Sequence, residues 1–458
     1  MTSSGRPIEP HEADGLFAPF ERTAEKPCVL AVSGGADSTA LMVLFSDWLR
    51  RWDADPAPHI VLTVDHGLRT SSASEARAVV EQAERLGLQH KVLVWSGPKP
   101  QTGIQAAARS ARYRLIAEQM SANGIAAVFT AHTRDDQAET LLMRLARGSG
   151  IDGLAAMAPV AHLPASVGSD SSPQSTLLIL RPFLHVPKER LIATLRSRGI
   201  GWIEDPTNEA TEFERTRLRA ARDELARLGL TNEMLALSAA RLGRVRDALD
   251  AATIRFLAPA SGSVSTDRLG RITIDRTKLR EAGAEIALRV LGRAVAAAGG
   301  SGDRPPLSKL EVMVTELIGQ PSAGSGAWTL SRAKVVANRG EVTVEREPGR
   351  TPLPRFGVTR GTSAVWDGRF VVHASPRLSH ATVVVRPLGD TALSRLRRDD
   401  PAFAAVPFSL ATLVPSFWIN DILLAVPPLQ HWGEPGYREL LRAEFLGFGQ
   451  RDTLVPSS

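Results

Sequence analysis

A single cysteine in 458 residues, Cys28, leaves the chain unable to form an intramolecular disulfide. One thiol cannot build a Cys-pair metal site or a cysteine-ligated iron–sulfur cluster from one chain either. Long apolar runs are also missing. The best candidate, Ile422–Pro428, falls far short of the about 20 residues that span a bilayer. The first residues carry His11, Glu12 and Asp14 in place of an apolar core, so no secretory signal is expected. No internal repeat is present. These absences point to a cytoplasmic protein with no membrane partner.

What is present suits a soluble globular protein: 43% hydrophobic and 23% charged residues. Lys and Arg number 55 against 49 Asp and Glu, a net charge of +6. That modest excess is compatible with a nucleic-acid partner, because phosphate contacts supply most non-specific affinity. At roughly 100–200 residues per domain, the length implies several domains.

Residues 1–26 show no period and read as a flexible leader. From Pro27 apolar strands alternate with amphipathic helices: strands at Cys28–Val32, His59–Val64, Val92–Trp95, Ala126–Ala131 and Leu177–Leu180, helices at Ser38–Trp52, Ser74–Leu86, Ile104–Met120, Asp135–Ala146 and Pro187–Arg198. Such alternation predicts an α/β domain over 27–210, a parallel sheet with helices on both faces. Pro164–Thr176 is Ser/Pro/Gly-rich and reads as a mobile loop. Glu204–Asn208 is a turn signal that closes the domain. Residues 211–347 are mainly helical, with short strands at Trp328–Leu330, Lys334–Ala337 and Glu341–Glu345. After a linker at Pro348–Pro354, residues 355–458 read as a small C-terminal domain of mixed α/β or β character.

Two segments carry chemistry. Ser33-Gly34-Gly35-Ala36-Asp37-Ser38 follows a predicted strand and opens a predicted helix. Two glycines let the backbone turn its N–H groups onto an anion, and the helix N-terminus adds partial positive charge. A pyrophosphate fits such a nest. Asp37 would repel phosphate unless Mg²⁺ bridges the two. The plain alternative is a tight βα turn with Asp37 or Ser38 capping the helix. No Gly-Lys-Ser/Thr ends the loop, so it is not a Walker A motif. It matches the PP-loop signature SGGxDS at every position, and enzymes with that signature split ATP between the α and β phosphates and adenylate a substrate oxygen.

The second segment is Ala131-His132-Thr133-Arg134-Asp135-Asp136-Gln137-Ala138-Glu139-Thr140, at a strand end running into a helix. Asp136 and Glu139 lie three apart and share a helical face. In a parallel sheet they open on the same edge as the SGGADS loop, so His132, Asp136 and Glu139 are expected to converge with Asp37, with Asp37, Asp136 and Glu139 as Mg²⁺ ligands. The alternatives are a buried structural histidine and acidic residues that stabilise the first helical turn, Asp135 above all.

Further segments resemble tRNA(Ile)-lysidine synthetases: Val64-Asp65-His66-Gly67-Leu68-Arg69, Arg109 with Arg112-Tyr113, Arg147-Gly148-Ser149-Gly150 with Gly153-Leu154 and Met157, Arg181-Pro182, and Trp202 with Glu204-Asp205-Pro206-Thr207-Asn208. The likeness runs in consistent order over residues 28–219. One position departs: Thr216 stands where the family usually has Asn. The resemblance implies an adenine nucleotide α-hydrolase-like catalytic domain followed by a helical and a small terminal domain. It implies that ATP, held by Ser33–Ser38, adenylates the wobble cytidine of the CAU-anticodon tRNA(Ile), and that L-lysine then displaces AMP to give lysidine. Asp65, His66, Arg69, Arg109 and Arg112 become substrate-binding candidates. Arg215, Arg217 and Arg219 become tRNA-binding ones, and His132 a candidate base for the lysine amine. The oligomeric state is left open, a homodimer included.

Other readings remain at this point. A sulfur-transferring PP-loop tRNA enzyme needs catalytic cysteines or a cluster, against which Cys28, inside the first strand, argues. A small-metabolite ligase or amidotransferase would consume ATP without RNA. A non-enzymatic RNA-binding protein would have no use for the acidic set.

Overall fold

A computed structural model describes residues 5–67, 72–97, 99–100, 102–163, 177–204, 214–301, 305–319, 325–349 and 351–448. The chain divides into two compact units, with the division in the main chain between Arg246 and Asp247.

The first unit runs in the order α1 (Pro10–Phe17), α2 (Glu21–Ala24), β1 (Val29–Ala31), α3 (Ala36–Arg51), β2 (Ile60–Asp65), α4 (Ser72–Arg85), β3 (Gln89–Val94), α5 (Ile104–Ala122), β4 (Ala127–Phe129), α6 (Arg134–Ala146), α7 (Ile151–Leu154), β5 (Val160–His162), β6 (Leu178–Leu180), α8 (Lys188–Ser197), α9 (Glu214–Ala220), α10 (Arg222–Arg227) and α11 (Asn232–Leu257). α11 carries on into the second unit. The sheet order is β3-β2-β1-β4-β6-β5. Its first five strands are parallel, as the strand–helix alternation predicts, and β5 pairs antiparallel with β6 at the edge. β1 and β4 are both apolar and buried on both faces, which suits the centre of a parallel sheet. The chain leaves β1 toward β2 on one side and β4 lies on the other. This is a topological switch point, and it opens a crevice at the strands' carboxyl ends.

The expected loose leader is corrected. Within it α1 folds onto the sheet domain, and Phe17 is wholly buried, stacked on Trp48 at 5.2 Å and edge-on to Phe45, Phe129 and Phe183. Arg190 of α8 grips Glu12 at 2.6 Å and holds its carboxyl down to about 2. Eight residues are too few to show a period, so the sequence hid a helix that one buried aromatic anchors. Phe17→Ala is expected to cost about 3–5 kcal/mol, read as a lower urea midpoint at unchanged m-value. A loss under 1 kcal/mol would return the segment to leader status.

The expected boundary at residue 210 is also corrected, because the first unit continues to Arg246. α11 buries Leu235 and Ala239 against Ala138 and Leu141 of α6, and α9 and α10 reach α6 through ion pairs described below. The loop over 164–176 and the turn over 205–208 lie outside the described residues.

In the second unit, helices Ala284–Gly299 and Leu307–Gly319 pack their apolar faces on an antiparallel five-stranded sheet. Two of its strands, Val264–Thr266 and Ile272–Asp275, were not anticipated. Beyond Pro354 come a second five-stranded sheet and a three-stranded sheet around Trp366, Phe370 and Phe417, with the helix Gly389–Asp399. The C-terminal region therefore has the mixed α/β character read from its sequence.

Candidate active site

The SGGADS loop turns directly out of β1. Gly34 has φ +87°, and a Cβ there would stand 2.4 Å from Ile203 Cδ1. The Ile203 N–H donates to Gly34 O at 2.9 Å, so the 200–204 segment clamps the turn. Gly35 is the N-cap of α3 and makes no side-chain cap bond. This corrects the capping alternative, because Asp37 and Ser38 both lie inside the first turn. Ser38 Oγ donates to Gly35 O at 3.0 Å and accepts from Ser33 N–H at 3.2 Å, while Thr39 Oγ1 donates to Gly34 O at 3.2 Å. The hydroxyls brace the loop from within and leave the N-terminal amides of α3 for an anion.

Asp37 pairs with Lys188 Nζ at 3.1 Å, and its Oδ1 is buried without a hydrogen-bond partner. Burial pushes its carboxyl up to about 6; Lys188 opposes the shift, and Asp136 and Asp135 add to it. A buried carboxylate raised in this way, in a cleft, makes Asp37 a candidate functional group.

Across the switch point, Thr133 caps α6. Asp136 accepts from Thr133 N–H at 2.8 Å and from Thr133 Oγ1 at 2.9 Å, completing a capping box. Asp136 thus serves the helix and also borders the cleft. His132 Nδ1 lies 2.9 Å from Thr130 Oγ1, which contacts Leu180 O. The contact with Thr130 holds the ring of His132 at the cleft wall.

A cleft of about 880 Å³ joins these parts. It takes in Ser33, Gly35, Ala36, Asp37, Ser38, His132 and Asp136, and on its far wall Asp65, His66, Arg109 and Arg112. Asp65 Oδ1 accepts from Gly67 N–H at 2.7 Å. His66 Nε2 faces Arg112 Nη2 at 3.0 Å. Burial and then the Arg112 charge lower the His66 imidazole to about 4, so it accepts from the guanidinium as a neutral ring. Arg109 lies over the Tyr113 ring at 5.0 Å.

Glu139 requires correction. Arg219 of α9 holds it, Nε to Oε1 at 2.6 Å, and it lines a separate cavity of about 370 Å³ beside the cleft. Asp37, Asp136 and Glu139 therefore do not form one ligand set, and among the described residues no group of three acidic, His or Cys side chains is placed to hold a metal. Arg219, a tRNA-binding candidate, pairs with Glu139 while bordering both cavities. Asp135 is more than a dipole partner. It accepts from the Lys188 backbone N–H at 3.0 Å and Asn232 Nδ2 at 2.6 Å and pairs with Arg222, tying α8, α10 and α11 to α6. Arg217 is exposed. Arg69 and the side chains of Arg215 and Thr216 lie outside the described residues.

Sequence reasoning missed Lys188, Arg196 and Ile203, all at the cleft. Lys188 carried a signal. A cation at the first position of a helix opposes the helix dipole, so its place there asks for another reason. Arg196 and Ile203 carried none.

Fold and site together define a PP-loop ATP-pyrophosphatase domain, and residues 9–223 match the PP-loop domain family. A tRNA(Ile)-lysidine synthase from Bradyrhizobium diazoefficiens is 43% identical over 324 residues, covering 70% of this chain and 86% of that one. Those of Rhodopseudomonas palustris and Methylobacterium nodulans are 45% and 41% identical over 309 and 356 residues, covering 67% and 76% of this chain and 84% and 99% of theirs. The chain belongs to the tRNA(Ile)-lysidine synthase family.

Cys28 fits that assignment and not sulfur transfer. It is buried, its Sγ contacts Thr23 O and Lys26 O, and burial pushes the thiol up to about 12. Cys28→Ala is expected to keep the wild-type turnover, and the folded protein to resist iodoacetamide at pH 8. Rapid alkylation, or a variant without activity that still folds, would count against a packing role.

Proposed function

We propose that this chain ligates L-lysine through its ε-amino group to C2 of the wobble cytidine in the CAU-anticodon tRNA(Ile), cleaving ATP to AMP and pyrophosphate. The observation that carries the reading is the meeting of the SGGADS nest with the His132–Asp136 turn on one cleft, in a chain of this family. The cleft volume lies near the upper end of the about 300–1,000 Å³ usual for small-ligand sites.

In the first step the cytosine O2 attacks the α-phosphorus and the bond to the β-phosphate bridging oxygen breaks. Pyrophosphate leaves into the nest, where the α3 amides stabilise its charge. In the second step the lysine amine attacks C2 and AMP departs with the oxygen. The amine must shed a proton, for which His132 is the candidate acceptor. Arg109 and Arg112 offer guanidinium groups to phosphate or to the lysine carboxylate.

Mg²⁺ fits two of the three expected ligands. Asp37 presents a buried oxygen without a partner and Asp136 borders the same cleft, while Glu139 is engaged by Arg219. One or two carboxylates with nucleotide phosphates is the donor set Mg²⁺ takes. Bound there, it would neutralise phosphate charge. For the tRNA, Arg217 and the exposed Arg241 and Arg244 of α11 offer cations for its backbone.

The test is pyrophosphate release with a tRNA(Ile) transcript whose wobble base is cytidine or uridine. Release only with cytidine is expected. Equal release with both would defeat the assignment of that base as the acceptor.

A further inference from the structure

Among the described residues five Lys and Arg side chains line the cleft, and four are tied to its walls. Arg109 lies over Tyr113 at 5.0 Å, Arg196 over Trp202 at 5.8 Å, Arg112 bonds His66 at 3.0 Å, and Arg219 holds Glu139 at 2.6 Å. Lys188 differs. Its partner is Asp37, in the first turn of the nest itself and the carboxylate that a divalent cation would take.

The position is built. Lys188 opens α8, and its backbone N–H is fixed by Asp135 Oδ2 at 3.0 Å. Asp135 is itself held by Arg222 and Asn232, so the root of the side chain does not drift. The side chain is 42% exposed and lines the cleft, where its ammonium pairs with Asp37. A lysine here gains nothing from the helix dipole, which repels it.

We propose that Lys188 is a catalytic residue that exchanges partners: without nucleotide it neutralises Asp37, and with metal–ATP bound it moves its ammonium onto the β- and γ-phosphate oxygens of the leaving pyrophosphate. This rests on the adenylation reading above. The exchange follows from charge. A divalent cation at Asp37 repels the ammonium, and the triphosphate entering the nest offers it anionic oxygens within the reach of the same four-carbon stem. Negative charge grows on the pyrophosphate as the bond to the α-phosphorus breaks, so the new pairing strengthens in the transition state.

Lys188→Met and Lys188→Arg test this, with the arginine variant keeping the charge. With tRNA and saturating Mg²⁺–ATP, single-turnover pyrophosphate release by Lys188→Met is expected to fall about 10²-fold, and that of Lys188→Arg less than about 10-fold. Two equilibrium measurements need no chemistry. Lys188→Met should bind Mn²⁺ alone several-fold more tightly than wild type, because the ammonium no longer competes. It should bind metal-loaded α,β-methylene-ATP more weakly. Wild-type release by Lys188→Met, or unchanged Mn²⁺ and analogue binding, overturns the exchange. A wild type that releases no pyrophosphate overturns the adenylation reading instead, and the exchange is then decided by the two equilibrium measurements.

Discussion

Asp37→Asn is expected to abolish lysine transfer while making the unliganded protein more stable at pH 8 than the wild type. The two effects share a cause. The Asp37 carboxyl is raised from 3.8 to about 6, chiefly by burial. The native state therefore holds this proton more tightly than the unfolded chain does. Where the native state binds more protons, stability falls as pH rises. The loss runs from about pH 4 to about pH 6 and is complete above that, at roughly 3 kcal/mol for a shift near two units. Asparagine removes that penalty but also strips Lys188 of its partner, so a net gain of about 1–2 kcal/mol is expected at pH 8 and none at pH 4. Catalysis moves the other way. With Asp37 as the proposed anchor for Mg²⁺ at the phosphates, loss of the carboxylate is expected to cost about 10³-fold or more in turnover. Urea unfolding at the two pH values and single-turnover assays check both halves. A variant that is less stable at pH 8, or one that still transfers lysine at a tenth of the wild-type rate, contradicts this account of the residue.

Asp367→Ala is expected to produce the largest loss of stability in the second unit. Its side chain is 1% exposed and takes three guanidinium groups: Arg332 Nη2 at 2.5 Å, Arg346 Nε at 2.9 Å and Arg369 Nε at 2.7 Å. Arg346 and Arg369 are buried, and burial lowers Arg369 to about 10 even with the carboxylate beside it. The backbone is equally committed. A Cβ on Gly300 would stand 1.9 Å from Asp367 O, so the helix end at residue 300 and the turn at 367 interlock. Alanine leaves two buried cations without a counter-charge, a cost of about 3–5 kcal/mol. Calorimetry should show the transition of this unit falling by roughly 10 °C. A fall of only a degree or two would mean that the three arginines find other partners.

The parts of the site legible in the sequence are those where chemistry demands particular residue types at close spacing. Gly34 was readable because a positive φ and a close backbone approach tolerate little else, and the structure places Ile203 against its Cβ position. The strand–helix alternation was readable because each buried strand and each amphipathic helix states its own period. Glu139 was misplaced for the opposite reason. Its spacing from Asp136 is right for a shared helix face, but its partner Arg219 arrives from 80 residues downstream, and local reasoning cannot see that pair. Phe17 and the edge strand β5 were hidden by brevity. Lys188 was legible in principle, as a cation at the wrong end of a helix.

The most direct test of the central claim is transfer of radiolabelled L-lysine to tRNA(Ile) bearing the CAU anticodon, with ATP and Mg²⁺, by the wild type beside Asp37→Asn. The account predicts ATP-dependent label in the tRNA from the wild type, with one AMP and one pyrophosphate formed per lysine, and none from the variant. Folded wild-type protein that cleaves ATP but leaves the tRNA unlabelled would contradict it.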